Sequence, residues 1–179
     1  MLKRLIVVTA AVALTACGTF GGSKPDGEKP ITSEFLGGNI KVTYTMGGEF
    51  ESISSTNTVK VTSSLPYATD EAFTVATLRA RKQIVEFMKL DLESEKFTDT
   101  VYNSLQDASE ENKAETTQVN SKIASEVKET IKQRASGILQ GTYVAEKNYD
   151  SGTKTVTVTV KSGTKDITTA KTVRRLMGN

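Results

Sequence analysis

Thr153-Lys154-Thr155-Val156-Thr157-Val158-Thr159-Val160-Lys161 is an almost unbroken alternation of polar and apolar residues, most of them β-branched. Strand side chains alternate between faces with period two, so Val156, Val158 and Val160 point one way and Thr155, Thr157 and Thr159 the other. The stretch is a half-buried strand. Just upstream, Asp150-Ser151-Gly152 is a turn cluster, and Ile138 to Tyr149 reads as the other arm of a hairpin. Before that, Val119, Ile123, Val127 and Ile131 recur every four residues, with Ala124 and Ala135 beside them. Gly137 stands where a helix C-cap glycine belongs. A helix-strand-strand unit follows from these three readings.

Farther outward the pattern changes period twice. Asp107 to Gln118 is almost wholly polar, a loop or an exposed helical turn. Phe97, Val101, Leu105 and Ala108 step by three or four and predict a shorter helix. A longer helix is predicted to about Leu90, with Thr69 and Asp70 offering N-caps. Its stripe is Phe73, Ala76, Ala80, Ile84, Phe87 and Met88, widened by Val75, Leu78, Val85 and Leu92. Ile40, Val42, Tyr44 and Met46 alternate with Lys41, Thr43 and Thr45 as a strand, Gly47-Gly48 makes a hairpin turn, and Glu49 to Ser64 is again β-rich. Past the valine strand, Ile167, Ala170, Val173 and Leu176 mark a short helix bearing Lys171, Arg174 and Arg175. The order predicts an α+β fold, a small antiparallel sheet with two or three helices packed on it.

The N-terminal segment has a different character. Lys3 and Arg4 precede an apolar or small run from Leu5 to Ala16, which closes on Leu14-Thr15-Ala16-Cys17. A charged start, a short apolar run and small residues describe a secretory signal peptide, too short to cross a hydrocarbon core of roughly 20 apolar residues. Leu14 to Cys17 resembles the lipobox of bacterial lipoproteins, in which the cysteine is acylated and becomes the first mature residue. The competing reading leaves Cys17 an incidental thiol, which is an oxidation liability in an exported chain. Gly18 rather than aspartate follows, which favours the outer membrane over the inner. Each buried methylene contributes about 0.8 kcal/mol, so several acyl chains hold where one does not. Gly18, Gly21, Gly22, Ser23, Pro25, Asp26, Gly27 and Pro30 then describe a flexible tether. The expected organisation is a signal over 1–16, a lipidated linker over 17–38 and a periplasm-facing domain over 39–179.

Composition narrows the chemistry. Loss of Lys3 and Arg4 with the signal lowers the 23 basic residues to 21, equal to the 21 acidic ones. A neutral chain with 6% aromatics has no broad electrostatic footprint for nucleic acid. There is no histidine, the commonest general base and metal ligand, and Cys17 is the only cysteine. No cofactor, metal or catalytic residue is expected, and the chain reads as a non-enzyme.

Other groups were weighed for function. Arg79, Arg81 and Lys82 read as a solvated helix face in which Lys82 pairs with Glu86, rather than as a contact for anionic headgroups. Lys171, Arg174 and Arg175 read as part of a docked helix covering the sheet, against the alternative of a basic amphipathic helix on a charged surface. The Thr155–Thr159 ladder, if at a sheet edge, offers strand pairing to a neighbour. Ser94 with Lys96 and Ser121-Lys122 lack the Ser-x-x-Lys spacing of hydrolases. Ser33-Glu34, Asp91-Glu93-Glu95 and Asp107 to Glu111 lack a calcium-loop ladder and read as solvated faces.

Two segments together resemble the LPP20-like family of outer-membrane lipoproteins, which includes flagellar ones: Ala72-Phe73…Ala76-Thr77-Leu78-Arg79-Ala80-Arg81…Ile84-Val85, and Ile138-Leu139-Gln140-Gly141-Thr142 before the valine strand. The similarity covers about residues 40 to 162. It implies a periplasm-facing α+β domain, often self-assembling, with no catalytic residues to carry over. The expected function is a non-catalytic cell-envelope lipoprotein anchored to the outer membrane through Cys17. It would serve as a scaffold or assembly subunit with protein partners or copies of itself. The alternative is a periplasmic binding module for a cell-wall polymer or soluble ligand, which the scarcity of aromatics and absence of tryptophan disfavour.

Overall fold

A computed structural model of the chain describes residues 29–109 and 115–177. The signal segment, Cys17 and the tether through residue 28 lie outside the described residues, as do 110–114 of the polar insert and Gly178. Five antiparallel strands form one sheet in the order β1-β2-β3-β5-β4. They are β1 (Ile31–Phe35), β2 (Ile40–Tyr44), β3 (Phe50–Lys60), β4 (Tyr143–Asp150) and β5 (Thr155–Gly163). Four helices join them: α1 (Ala68–Glu86), α2 (Glu95–Ala108), α3 (Glu115–Gln140) and α4 (Thr164–Leu176). The α+β expectation holds, and the helix-strand-strand unit is α3-β4-β5.

The valine strand takes the place its pattern demands. Val156, Val158 and Val160 are fully buried, while Thr155, Thr157 and Thr159 stay half-exposed. Alpha 1 crosses β3 and β5 on the valine side. It does so on a ridge of small residues, Ala68, Ala72, Ala76 and Ala80, continued by Ile84. Alanine every fourth residue keeps the helix axis close to the strands without steric conflict. Val75 and Leu78, read as widening that stripe, instead face solvent, Leu78 at 60% exposure. The close alanine approach leaves the buried arc too narrow to include them. The caps differ too: α1 starts at Ala68 after Tyr67, and Asp70 lies in the first turn beside Glu71, where a negative charge suits the helix dipole.

After Glu86 the helix widens into a π-turn over Phe87–Asp91, closed by Leu92 N–H donating to Phe87 O at 2.9 Å. The extra residue per turn brings both Phe87 and Leu92 inward and leaves Leu90 exposed. Phe87 then meets Phe35 of β1 and Phe97 of α2, with ring centroids 5.1 Å apart for Phe35–Phe87 and Phe35–Phe97. Phe97, Val101 and Leu105 bury α2 against this end of the sheet.

The linker is shorter than its glycine and proline content suggested. Ile31, Ser33 and Phe35 are buried and alternate with exposed Thr32 and Glu34, so the domain begins at residue 31 rather than 39. Leu36 to Asn39, including Gly37-Gly38, form the β1–β2 turn. Beta 3 runs through Ser54–Asn57 without interruption, paired on both sides over Ser52–Ser55 and with β5 alone beyond. Two other readings are corrected at the α3–β4 junction. Gly137 is inside α3, which continues to Gln140, and Ile138 is a buried helical residue rather than the start of a strand. Val119 is exposed, and α3 packs through Asn120, Ala124, Val127, Ile131 and Ile138. Among the described residues, every core side chain lies between Ile31 and Ile167.

Candidate functional site

A groove of about 940 Å³ opens where the β2–β3 turn, α3 and the β5–α4 junction meet. Two sequence features build it. Gly48 has φ +82°, and a Cβ there would come within 2.9 Å of Ile123 Cγ2, so glycine is what lets α3 lie against the turn. A register shift between Thr43 and Tyr44 places Phe50 opposite Tyr44 and Ser52 opposite Thr43, with Glu51 as the extra residue. Thr164 ties the far wall: its Oγ1 donates to Phe50 O at 2.9 Å and accepts from Arg134 Nη1 at 3.4 Å. Gly163 N–H donates to Asp166 Oδ2 at 2.8 Å, closing the first turn of α4. Its lining carries both signs of charge, among them Glu126, Glu129 and Arg134 of α3 with Lys161 and Lys165. Such walls suit a ligand carrying both signs of charge. Sequence reading found the Gly47-Gly48 turn but not the groove, because its walls join residues more than 110 positions apart, as Thr164 and Phe50 are.

A buried polar cluster also went unread. Ser33, Tyr44 and Ser104 join β1, β2 and α2, with hydroxyl separations of 2.7 Å (Ser33–Tyr44) and 2.8 Å (Ser33–Ser104). Burial pushes the Tyr44 hydroxyl above the ordinary tyrosine value, against smaller opposing contributions from its hydrogen bonds to Ser33 and Ser104. Ser33 is thus a core residue, not part of a solvated Ser33-Glu34 face; Glu34 alone is outside, paired with Lys41 at 2.6 Å.

The remaining groups flagged in the sequence are scattered. Lys82 pairs with Glu86 at 3.3 Å on an exposed face that also carries Arg79, and Arg81 is exposed. Glu93, between Asp91 and Glu95, bonds Lys132 at 2.8 Å, and this hydrogen bond holds its carboxyl below the usual range. Ser94 and Ser121 donate to the carbonyls of Asp91 and Thr117. Among the described residues no three His, Cys, Asp or Glu side chains converge as a metal site, and no helix is long and apolar enough to cross a membrane.

The threonine ladder is not at an edge. Beta 5 is paired with β3 on one side and β4 on the other. Thr157 and Thr159 spend their hydroxyls on Thr58 and Thr56, each at 3.0 Å. The edge strand on this side is β4, and it is protected: its register shifts between Val144 and Glu146, and Lys147 turns back over the Phe73 ring at 5.5 Å. A bulge and an inward lysine are devices that discourage strand addition.

The segments behind the family resemblance occupy close-packed places, the alanine ridge of α1 and the α3–β4 junction, where a Cβ on Gly141 would lie 3.1 Å from the Ile167 nitrogen. No family model, curated protein or solved structure matches the chain.

Proposed function

We propose that this chain is a non-catalytic cell-envelope lipoprotein, held at the outer membrane through acylated Cys17 and facing the periplasm. Its α+β domain would act there as a scaffold or assembly subunit. The observation that carries the reading is Leu14-Thr15-Ala16-Cys17 at the end of a charged and apolar leader. The spacing supports it: the fourteen residue steps from Cys17 to Ile31 span at most about 50 Å, enough to lift the domain clear of headgroups. The resemblance of α1 and of Ile138–Thr142 to LPP20-like lipoproteins points the same way.

Feeding cells labelled fatty acid tests the anchor. The wild-type chain incorporates label and fractionates with the outer membrane, while Cys17→Ser does neither. Label in the serine variant would overturn the reading. The groove favours a second one, a periplasmic module that binds a soluble ligand or cell-wall polymer. Crosslinking in intact cells separates them: protein partners support the scaffold, and polymer captured through the groove supports the binding module.

A further inference from the structure

Alpha 4 was expected to dock and cover the sheet; it touches β3 and β5 and packs against α3, yet it buries little of itself. Of its thirteen residues only Ile167 is buried, seated against Gly137 of α3. Lys171 lays its stem near Gly137 and Ala170 is half-buried, but the end of the helix is open, with Leu176 78% and Met177 81% exposed. Its composition there is one-sided. Ala170, Val173, Leu176 and Met177 fall on one arc at 100° per residue, and Lys171, Arg174 and Arg175 fall on the other. No acidic residue follows Asp166, whose carboxylate is already engaged by the Gly163 N–H.

We infer that the second half of α4 is a docking surface for an anionic lipid bilayer, lying in the interface with its apolar arc inward and its cations at headgroup phosphates. Four apolar side chains flanked only by positive charge match a surface that offers both hydrocarbon and anionic groups. An interfacial helix needs both. The occupant is a lipid surface because exposed apolar area and uncompensated positive charge sit on the same two turns. The surface is independent of Cys17, so it adds a second membrane signal if the anchor is present and stands alone if it is not.

The test uses residues 29–179, a chain that holds the entire core and lacks both leader and Cys17. Its co-sedimentation is measured with phosphatidylcholine vesicles with and without phosphatidylglycerol. Each cation near an anionic surface is worth about fivefold in partitioning, so charge reversal at Lys171, Arg174 and Arg175 lowers binding by about a hundredfold or more. Leu176→Ser with Met177→Ser lowers it by at least about tenfold. Both variants keep the wild-type urea midpoint, because these side chains are exposed. Hydrogen exchange of residues 168–177 slows on anionic vesicles only, and salt reverses this. Equal binding to neutral and anionic vesicles would overturn the inference. So would binding that survives either variant, or an equal loss on reversing Arg79, Arg81 and Lys82.

Discussion

At the scale of single residues, two positions carry stability in ways a contact map does not show. Leu36 opens the β1–β2 turn at φ +51°, a left-handed conformation that a bulky side chain adopts at a cost. It is 44% exposed, so little packing offsets that cost. Leu36→Asn is predicted to raise unfolding free energy by about 1 kcal/mol, read as a higher urea midpoint at unchanged slope. Tyr44 works through ionisation. The fold holds the neutral phenol with a raised pKa, so as pH climbs the unfolded chain loses its proton first. Its contribution is complete below the ordinary value of 10.0 and declines above it. Tyr44→Phe is predicted to cost about 1–2 kcal/mol near neutrality, because Ser33 loses one of its two hydroxyl partners. The same variant should lose less stability than the wild type between neutral and alkaline pH, as urea titrations at both would show.

At the scale of elements, what was legible in the sequence depended on regular period and local contact. The Val156–Val160 alternation and the Ala76, Ala80, Ile84, Phe87 spacing repeat without interruption, and both elements formed where those patterns placed them. Beta 1 was missed because Ser33, the middle residue of its buried face, is polar and is satisfied only by Tyr44 and Ser104 from elsewhere in the chain. Gly137 was misread for a related reason. Its glycine character answers to Ile167, thirty residues later, whose Cγ2 would lie 2.7 Å from any Cβ at that position. The groove was illegible on the same ground, being made by long-range packing rather than by a motif. Gly137→Ala is therefore predicted to destabilise the protein even though alanine is the better helix former by about 1 kcal/mol. Adding Ile167→Ala removes the clash, so the double variant should lose less than the sum of the singles; additive losses would show that α3 and α4 do not meet this closely.

At the scale of the whole molecule, the domain is a sheet with a protected edge, a polar threonine face, a charged groove and one helix whose end is open. We propose that its work lies in location and contact. Location rests on the sulfur of Cys17. The most direct measurement is the intact mass of the protein purified from the membranes of its own cells. The account predicts a chain that begins at Cys17 and carries the added mass of acyl groups, lost in Cys17→Ser. A chain of unmodified mass that still begins at Met1 would contradict it.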